Sequence, residues 1–289
     1  MFGAIFGAAI HWISSLFFRD FSTGNWFIGI ILTMASILAI WLQKTNNSWS
    51  ILIFSSSLTK KITYTVKENS KKYIIQKYDI DAGSEQYQAL EKRYTNLPQN
   101  LNISIINNDP QFAIKSPMYD GHLLANIEKH AQNQYITLVL RLIAKYQPYM
   151  HSMTANIPNY QHIFGSQNNI STKLANKKYL GFIHGDLNPT NIIVEEKKCY
   201  LIDWDASGMG FIWFDILSLL TSPQISISLI ERIKRFMFIF PEFNKQETNQ
   251  IFKMFLKFKI TQMGHFGSID PEFHKLHKKY QHLFRLLNA

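Results

Sequence analysis

Tyr179 to Leu217 reads YLGFIHGDLNPTNIIVEEKKCYLIDWDASGMGFIWFDIL. An apolar, strand-like run ends in His184-Gly185-Asp186, and Asn191 follows shortly after. A short hairpin comes next, and its second strand, Cys199 to Ile202, ends at Asp203. Two short strands thus bring Asp186, Asn191 and Asp203 onto loops at one end. Two carboxylates and a carboxamide are hard oxygen donors of the kind Mg²⁺ takes together with phosphates. A carboxylate held beside such a cluster can orient a hydroxyl and accept its proton.

Upstream, Trp49–Phe54, Lys61–Val66 and Lys72–Tyr78 are short runs rich in β-branched and aromatic residues, separated by polar turns. They predict a strand meander. Ala82–Arg93 suits a helix. Leu101–Ile106 and Phe112–Lys115, split by Asn107 to Pro110, predict a hairpin. After Pro117 the pattern turns helical, over His122–Ala131 and Gln134–Met150, and again over Ile225–Phe240, Lys245–Met263 and Glu272–Leu287. A β-rich front and a helical back make an α+β chain in two lobes.

The central stretch resembles the Brenner motif of the aminoglycoside phosphotransferase and choline kinase families, relatives of the protein kinases. There an H-x-D-x-x-x-x-N loop is followed by a D-F-G-like aspartate, often in I-D-W-E or I-D-F-E. Here His184, Asp186 and Asn191 fall in register, and Leu201-Ile202-Asp203-Trp204-Asp205 follows the hairpin. The resemblance implies a two-lobed protein kinase-like fold, with a small β-rich N-lobe over residues 46–117 and a larger helical C-lobe over 118–289. It implies ATP and Mg as cofactors. Asp186 would be the catalytic base, and Asn191 and Asp203 would hold Mg²⁺ against the phosphates. His184 would bridge the catalytic loop and the Asp203 turn, and Asp215 would brace the loop. Asp205 either reaches the metal region or is a solvated or capping carboxylate.

In the N-lobe the resemblance implies a lysine at the end of the third strand that grips the α and β phosphates. Lys77 is placed there, with Glu85 as its helix partner and Glu91 as the second candidate. The phosphate-covering loop departs from the pattern: Phe54-Ser55-Ser56-Ser57-Leu58 has no glycine. Backbone N–H groups and the hydroxyls of Ser55, Ser56 and Ser57 can still approach phosphates. Lys115 to Tyr119 would be the hinge beside the adenine.

Only 11 residues separate Asp203 from Asp215, and Asn188 stands where Ser/Thr protein kinases carry lysine. That interval leaves no room for a peptide-docking platform, so the expected acceptor is a small-molecule or lipid-linked hydroxyl. From Ile216 onward there are 11 Lys plus Arg against 5 Asp plus Glu. So basic a back half argues against cationic aminoglycosides and suits an anionic acceptor or membrane surface. A cell-envelope sugar is the expected acceptor class, with a choline or ethanolamine kinase as the alternative. The glycine-free loop motivates a third reading, a membrane-bound pseudokinase scaffold. No nucleic-acid partner is expected, because no known module accompanies the charge.

The chain has 289 residues, a formal net charge of +10 and 46% hydrophobic residues, which excludes a disordered chain. A single cysteine, Cys199, excludes a disulfide framework and a Cys-based zinc site. In Met1–Leu42, 28 of 42 residues are hydrophobic and the two charges, Arg19 and Asp20, cancel. Trp26–Leu42 carries no charge over 17 residues. As a helix it would rise roughly 25 Å, the short end of a bilayer span. Residues 1–43 are therefore expected to form an apolar N-terminal helical membrane segment of one or two helices. Membrane association through residues 1–42, with the catalytic domain on the cytoplasmic side, follows as an expectation.

Overall fold

The structure, a computed structural model, describes residues 49–50, 61–81, 83–106, 111–146, 163–164, 169–267 and 271–288. Five antiparallel strands form the front: β1 (Trp49–Ser50), β2 (Lys61–Glu68), β3 (Lys71–Asp81), β4 (Ser104–Ile105) and β5 (Gln111–Pro117), in the order β1-β2-β3-β5-β4. β2 and β3 pair from Lys61↔Tyr78 to Glu68↔Lys71 around a two-residue turn. Asn69 and Ser70 both have positive φ there, as a twist-matched hairpin turn requires.

Helix α1 (Glu85–Thr95) crosses behind this sheet. Ser84 caps it by accepting from the Tyr87 N–H at 3.1 Å, and Lys92 and Arg93 lie in its last turn. Glu85 is exposed in the first turn, where a carboxylate suits the helix dipole.

The back begins with β6 (His122–Leu123) and α2 (Lys129–Tyr146), then α3 (Asn169–Leu174). The hairpin β8 (Ile192–Glu195) and β9 (Lys198–Leu201) pairs with β6, while β7 (Leu180–Ile183) pairs with β10 (Gly208–Phe211). Helices α4 (Ile212–Thr221), α5 (Leu229–Ile239), α6 (Lys245–Gly267) and α7 (Pro271–Leu286) complete it. All ten residues of α4 are buried, so it is the axis of this lobe. Buried Arg232 donates to the carbonyls of Leu220, Ser222, Ile225 and Ile227, tying α5 to the segment that leaves α4.

Three expectations change. His122–Leu123 is a strand rather than the start of a helix; Gly121 lets it lie against β8, where a Cβ would meet the Val194 carbonyl at 2.2 Å. α4 and β10 were not expected. The apolar membrane segment is also corrected: among the described residues no helix is long and apolar enough to cross a membrane. Residues 1–43, on which that segment was placed, lie outside the described residues.

Candidate active site

The catalytic loop hangs from one buried carboxylate. Asp215, in the first turn of α4, accepts from the His184 N–H at 2.6 Å and the Gly185 N–H at 2.9 Å. Burial pushes the Asp215 carboxyl up, and these bonds and the His184 ring oppose it. His184 is itself buried; its Nε2 lies 2.8 Å from the Ile202 carbonyl and its Nδ1 accepts from the Asp186 N–H at 3.3 Å. This pair of contacts puts the ring proton on Nε2. The ring packs on Trp204 at 4.7 Å. Gly185 has φ +81°, and a Cβ there would meet the Ala206 carbonyl at 2.2 Å, so the loop closes only on glycine.

With the backbone thus fixed, Asp186 is turned outward and exposed. Asn191 Nδ2 donates to the Asp186 carbonyl at 2.9 Å and to its Oδ2 at 3.1 Å. Asn188 caps the short turn between them, accepting from the Thr190 N–H at 2.9 Å. Asp203 sits at φ +64°, a left-handed conformation uncommon outside glycine, which aims its side chain back across the loop. The structure therefore brings His184, Asp186, Asn191, Asp203 and Asp215 together.

Asn191 and Asp203 line a cleft of about 330 Å³ between the lobes. Its walls include an apolar set, Ile74, Ile103, Ile114 and Leu201, with Ser116, Pro117 and Tyr119 at the hinge side. Met118 donates its N–H to the Lys72 carbonyl at 3.0 Å, and Tyr119 stacks on Tyr200 at 3.8 Å, joining the hinge to β9. Lys115 turns away from the cleft to pair with Glu68.

Among the described residues, the cation that lines this cleft is Lys61, whose Nζ lies 2.8 Å from Asp203 Oδ1 and 3.1 Å from Asp205 Oδ2. Asp205 also accepts from the hydroxyls of Tyr78 and Tyr94, and its carbonyl from Arg93. Burial would lower the Lys61 pKa, but Asp205 and Asp203 outweigh it and hold the ammonium above its ordinary value. Burial and Asp205 push Asp203 up against the pull of Lys61. Burial also works on Asp205, but Lys61 and the two tyrosine hydroxyls hold it below the usual carboxylate range.

Lys77 does not reach this cleft. Strand alternation puts it on the face opposite Gln76, and Ile74 and Gln76 are the β3 residues that line the cavity. Glu85 and Glu91 are both exposed on α1, which turns Tyr94 toward the site instead. Ser55, Ser56 and Ser57 lie outside the described residues. Sequence reasoning missed Lys61, Tyr78 and Tyr94. The cue was the phase of β3, with Ile74, Gln76 and Tyr78 on one face, and a lysine at the mouth of the neighbouring strand.

In the back lobe, buried Lys259 of α6 holds its Nζ 5.6, 5.8 and 5.7 Å from the rings of Phe214, Phe255 and Phe258. It donates to Gln262 Oε1 at 3.2 Å. Burial lowers its pKa, with Asp186 and Asp215 acting the other way.

Fold and site together define a two-lobed chain of the kinase-like class. Residues 155–241 match the model of the phosphotransferase enzyme family. No curated protein matches. Among solved structures, a thermostable mutant of aminoglycoside phosphotransferase APH(4)-Ia, in ternary complex with AMP-PNP and hygromycin B, is similar at TM-score 0.54 and 10% identity, covering 86% of this chain and 98% of that one. The microcompartment-associated aminopropanol kinase is similar at TM-score 0.53 and 12% identity, with 88% and 96% covered. Amicoumacin kinase hAmiN, in complex with AMP-PNP, Ca2+ and Ami, is similar at 0.52 and 11%, with 86% and 92% covered. These matches bear out the resemblance to the aminoglycoside phosphotransferase family over residues 155–241, and the two-lobed fold over most of the chain.

Proposed function

We propose that the protein transfers the γ-phosphoryl group of ATP to a hydroxyl of a small molecule, in a Mg²⁺-dependent reaction. The observation that carries this reading is Asp186: an outward-facing carboxylate bonded to Asn191, which itself lines the cleft together with Asp203. The apolar slot beside the hinge suits an adenine ring. The donor set suits Mg²⁺. The Asn191 amide nitrogen is engaged by Asp186, and no hydrogen bond reaches its Oδ1 among the described residues. Asp203 is a carboxylate that meets one ammonium, Lys61, while burial and Asp205 push its pKa up. Asn191 and Asp203 would hold the ion, which when bound neutralises phosphate charge.

Asp186 does the work on the acceptor. It orients the hydroxyl and takes its proton as the acceptor oxygen bonds to the γ-phosphorus and the bond from that phosphorus to the β,γ-bridging oxygen breaks. His184 and Asp215 hold the loop so that this carboxylate stays turned outward. Phosphotransferases of small hydroxyl compounds among the similar structures, those for hygromycin B, amicoumacin and aminopropanol, support the acceptor class.

A sugar hydroxyl, on a molecule without a cationic head group, is the acceptor we favour. A choline kinase needs an aromatic box open to a quaternary ammonium. Here the rings of Phe214, Phe255 and Phe258 enclose the chain's own Lys259 ammonium. The test is phosphoryl transfer from Mg·ATP to a panel of sugars, sugar phosphates, aminoglycosides and choline, with Asp186→Ala alongside. Asp186→Ala is expected to lower transfer by about 10²-fold or more. No transfer above that variant across the panel overturns the reading.

A further inference from the structure

Lys61 is the first residue of β2, directly after the stretch that joins β1 to β2. Its Nζ touches both Asp203 and Asp205, and it lines the same cavity as Asn191. Its side chain is only 9% exposed, so its ammonium is committed to this cleft rather than to solvent. On the neighbouring strand the cavity-lining residues are Ile74 and Gln76, both uncharged. β3 thus carries a neutral amide where the family resemblance called for a cation. On α1 no glutamate faces the site: the side chain that reaches Asp205 is Tyr94.

The missing pair is rebuilt from other elements. Lys61 and Tyr78 are direct cross-strand partners, and the ammonium lies 5.6 Å from the centre of the Tyr78 ring. The Tyr78 and Tyr94 hydroxyls lie 3.2 Å apart and both donate to Asp205, so the carboxylate that holds Lys61 is itself held. An ammonium has three donors. Two are used on Asp203 and Asp205, and the third is left for a ligand oxygen.

We propose that Lys61 of β2, braced by Asp205, is the cation that binds the nucleotide's phosphates in this chain, in place of a lysine of β3 and a glutamate of α1. The inference rests on the phosphotransferase reading and adds to it a binding residue at a different strand. Asp205 acts as a positioning residue, reaching the nucleotide only through Lys61.

The full chain can be titrated with Mg·AMP-PNP and, separately, with adenosine, which shares the ring but has no phosphates. Lys61→Met is expected to weaken Mg·AMP-PNP by about 10- to 100-fold, the range of one charge-assisted hydrogen bond, and to leave adenosine unchanged. Lys77→Met should leave both affinities unchanged. The exchange Lys61→Gln with Gln76→Lys, which returns the cation to β3, should recover part of the loss. Asp205→Asn should weaken Mg·AMP-PNP less than Lys61→Met does. An equal loss of adenosine and Mg·AMP-PNP in Lys61→Met makes the lysine a structural tie between lobes and overturns the proposal. So does a loss confined to Lys77→Met. A wild-type chain that binds neither ligand overturns the phosphotransferase reading on which the proposal stands.

Discussion

The two walls of the cleft are built on different principles. The C-lobe wall draws its groups from one short stretch, His184 to Asp215, and hydrogen bonds within that stretch set the pose of each. The N-lobe wall draws Lys61, Tyr78 and Tyr94 from two strands and a helix, and they converge on Asp205 of the other lobe. A wall wired locally tolerates change elsewhere in the chain but not within the loop. A wall assembled across the sheet can move its charge from one strand to the next, because neighbouring strands present side chains to the same face.

The difference can be broken from either side. Asp215→Ala should have the largest effect. It strands two buried N–H groups and should cost roughly 2–5 kcal/mol of stability, by the usual penalty per unsatisfied donor. A lowered urea midpoint, with transfer lost and adenosine still bound below the transition, would show the C-lobe wall failing alone. Equal loss of adenosine binding would mean that the walls are not separable. Gly185→Ala comes next. A Cβ 2.2 Å from the Ala206 carbonyl, on a backbone at φ +81°, should cost about 1–3 kcal/mol and show as a lower Tm. A Tm equal to wild type would mean that the loop can relax. Tyr94→Phe and Tyr78→Phe should be mildest, at about 1.5 kcal/mol each, the low end for a hydrogen bond to a charged group. Because both hydroxyls serve Asp205 and touch each other, the double variant should fall short of the sum. Strict additivity would argue against a shared brace.

The same contrast governs how much was legible in the sequence. The spacing of His184, Asp186, Asn191 and Asp203 could be found because their partners lie close in the chain. Most of the sheet and the long helices were legible from composition and period. α4 was not, since a helix buried on all sides has no polar face to give it a 3.6-residue period. β6 and β10 are short, and only distant partners, Val194 and Ile183, make them strands. Lys77 was placed in the cleft because the resemblance calls for a lysine at the end of this strand, and β3, with isoleucine on both faces at Ile74 and Ile75, gives no pattern that fixes its phase. Slipping by one residue exchanges the two faces, and Gln76 then takes the inner position. Lys61 could not be linked to Asp205 by any local spacing, since 144 positions separate them.

Asp205 has a mechanical consequence. Its backbone belongs to the C-lobe, yet Lys61, Tyr78, Tyr94 and Arg93 fasten it to the N-lobe. Across the cleft, the Tyr119–Tyr200 stack makes a second fastening. Among the described residues these two fastenings lie apart, and bodies pinned at two such points keep one rotation, about the line through the pins. The lobes should therefore rock about an axis running from the hinge to Asp205 rather than gape like a clamshell, with Asp203 and Lys61 almost on the axle and nearly still as the cleft's outer lips swing.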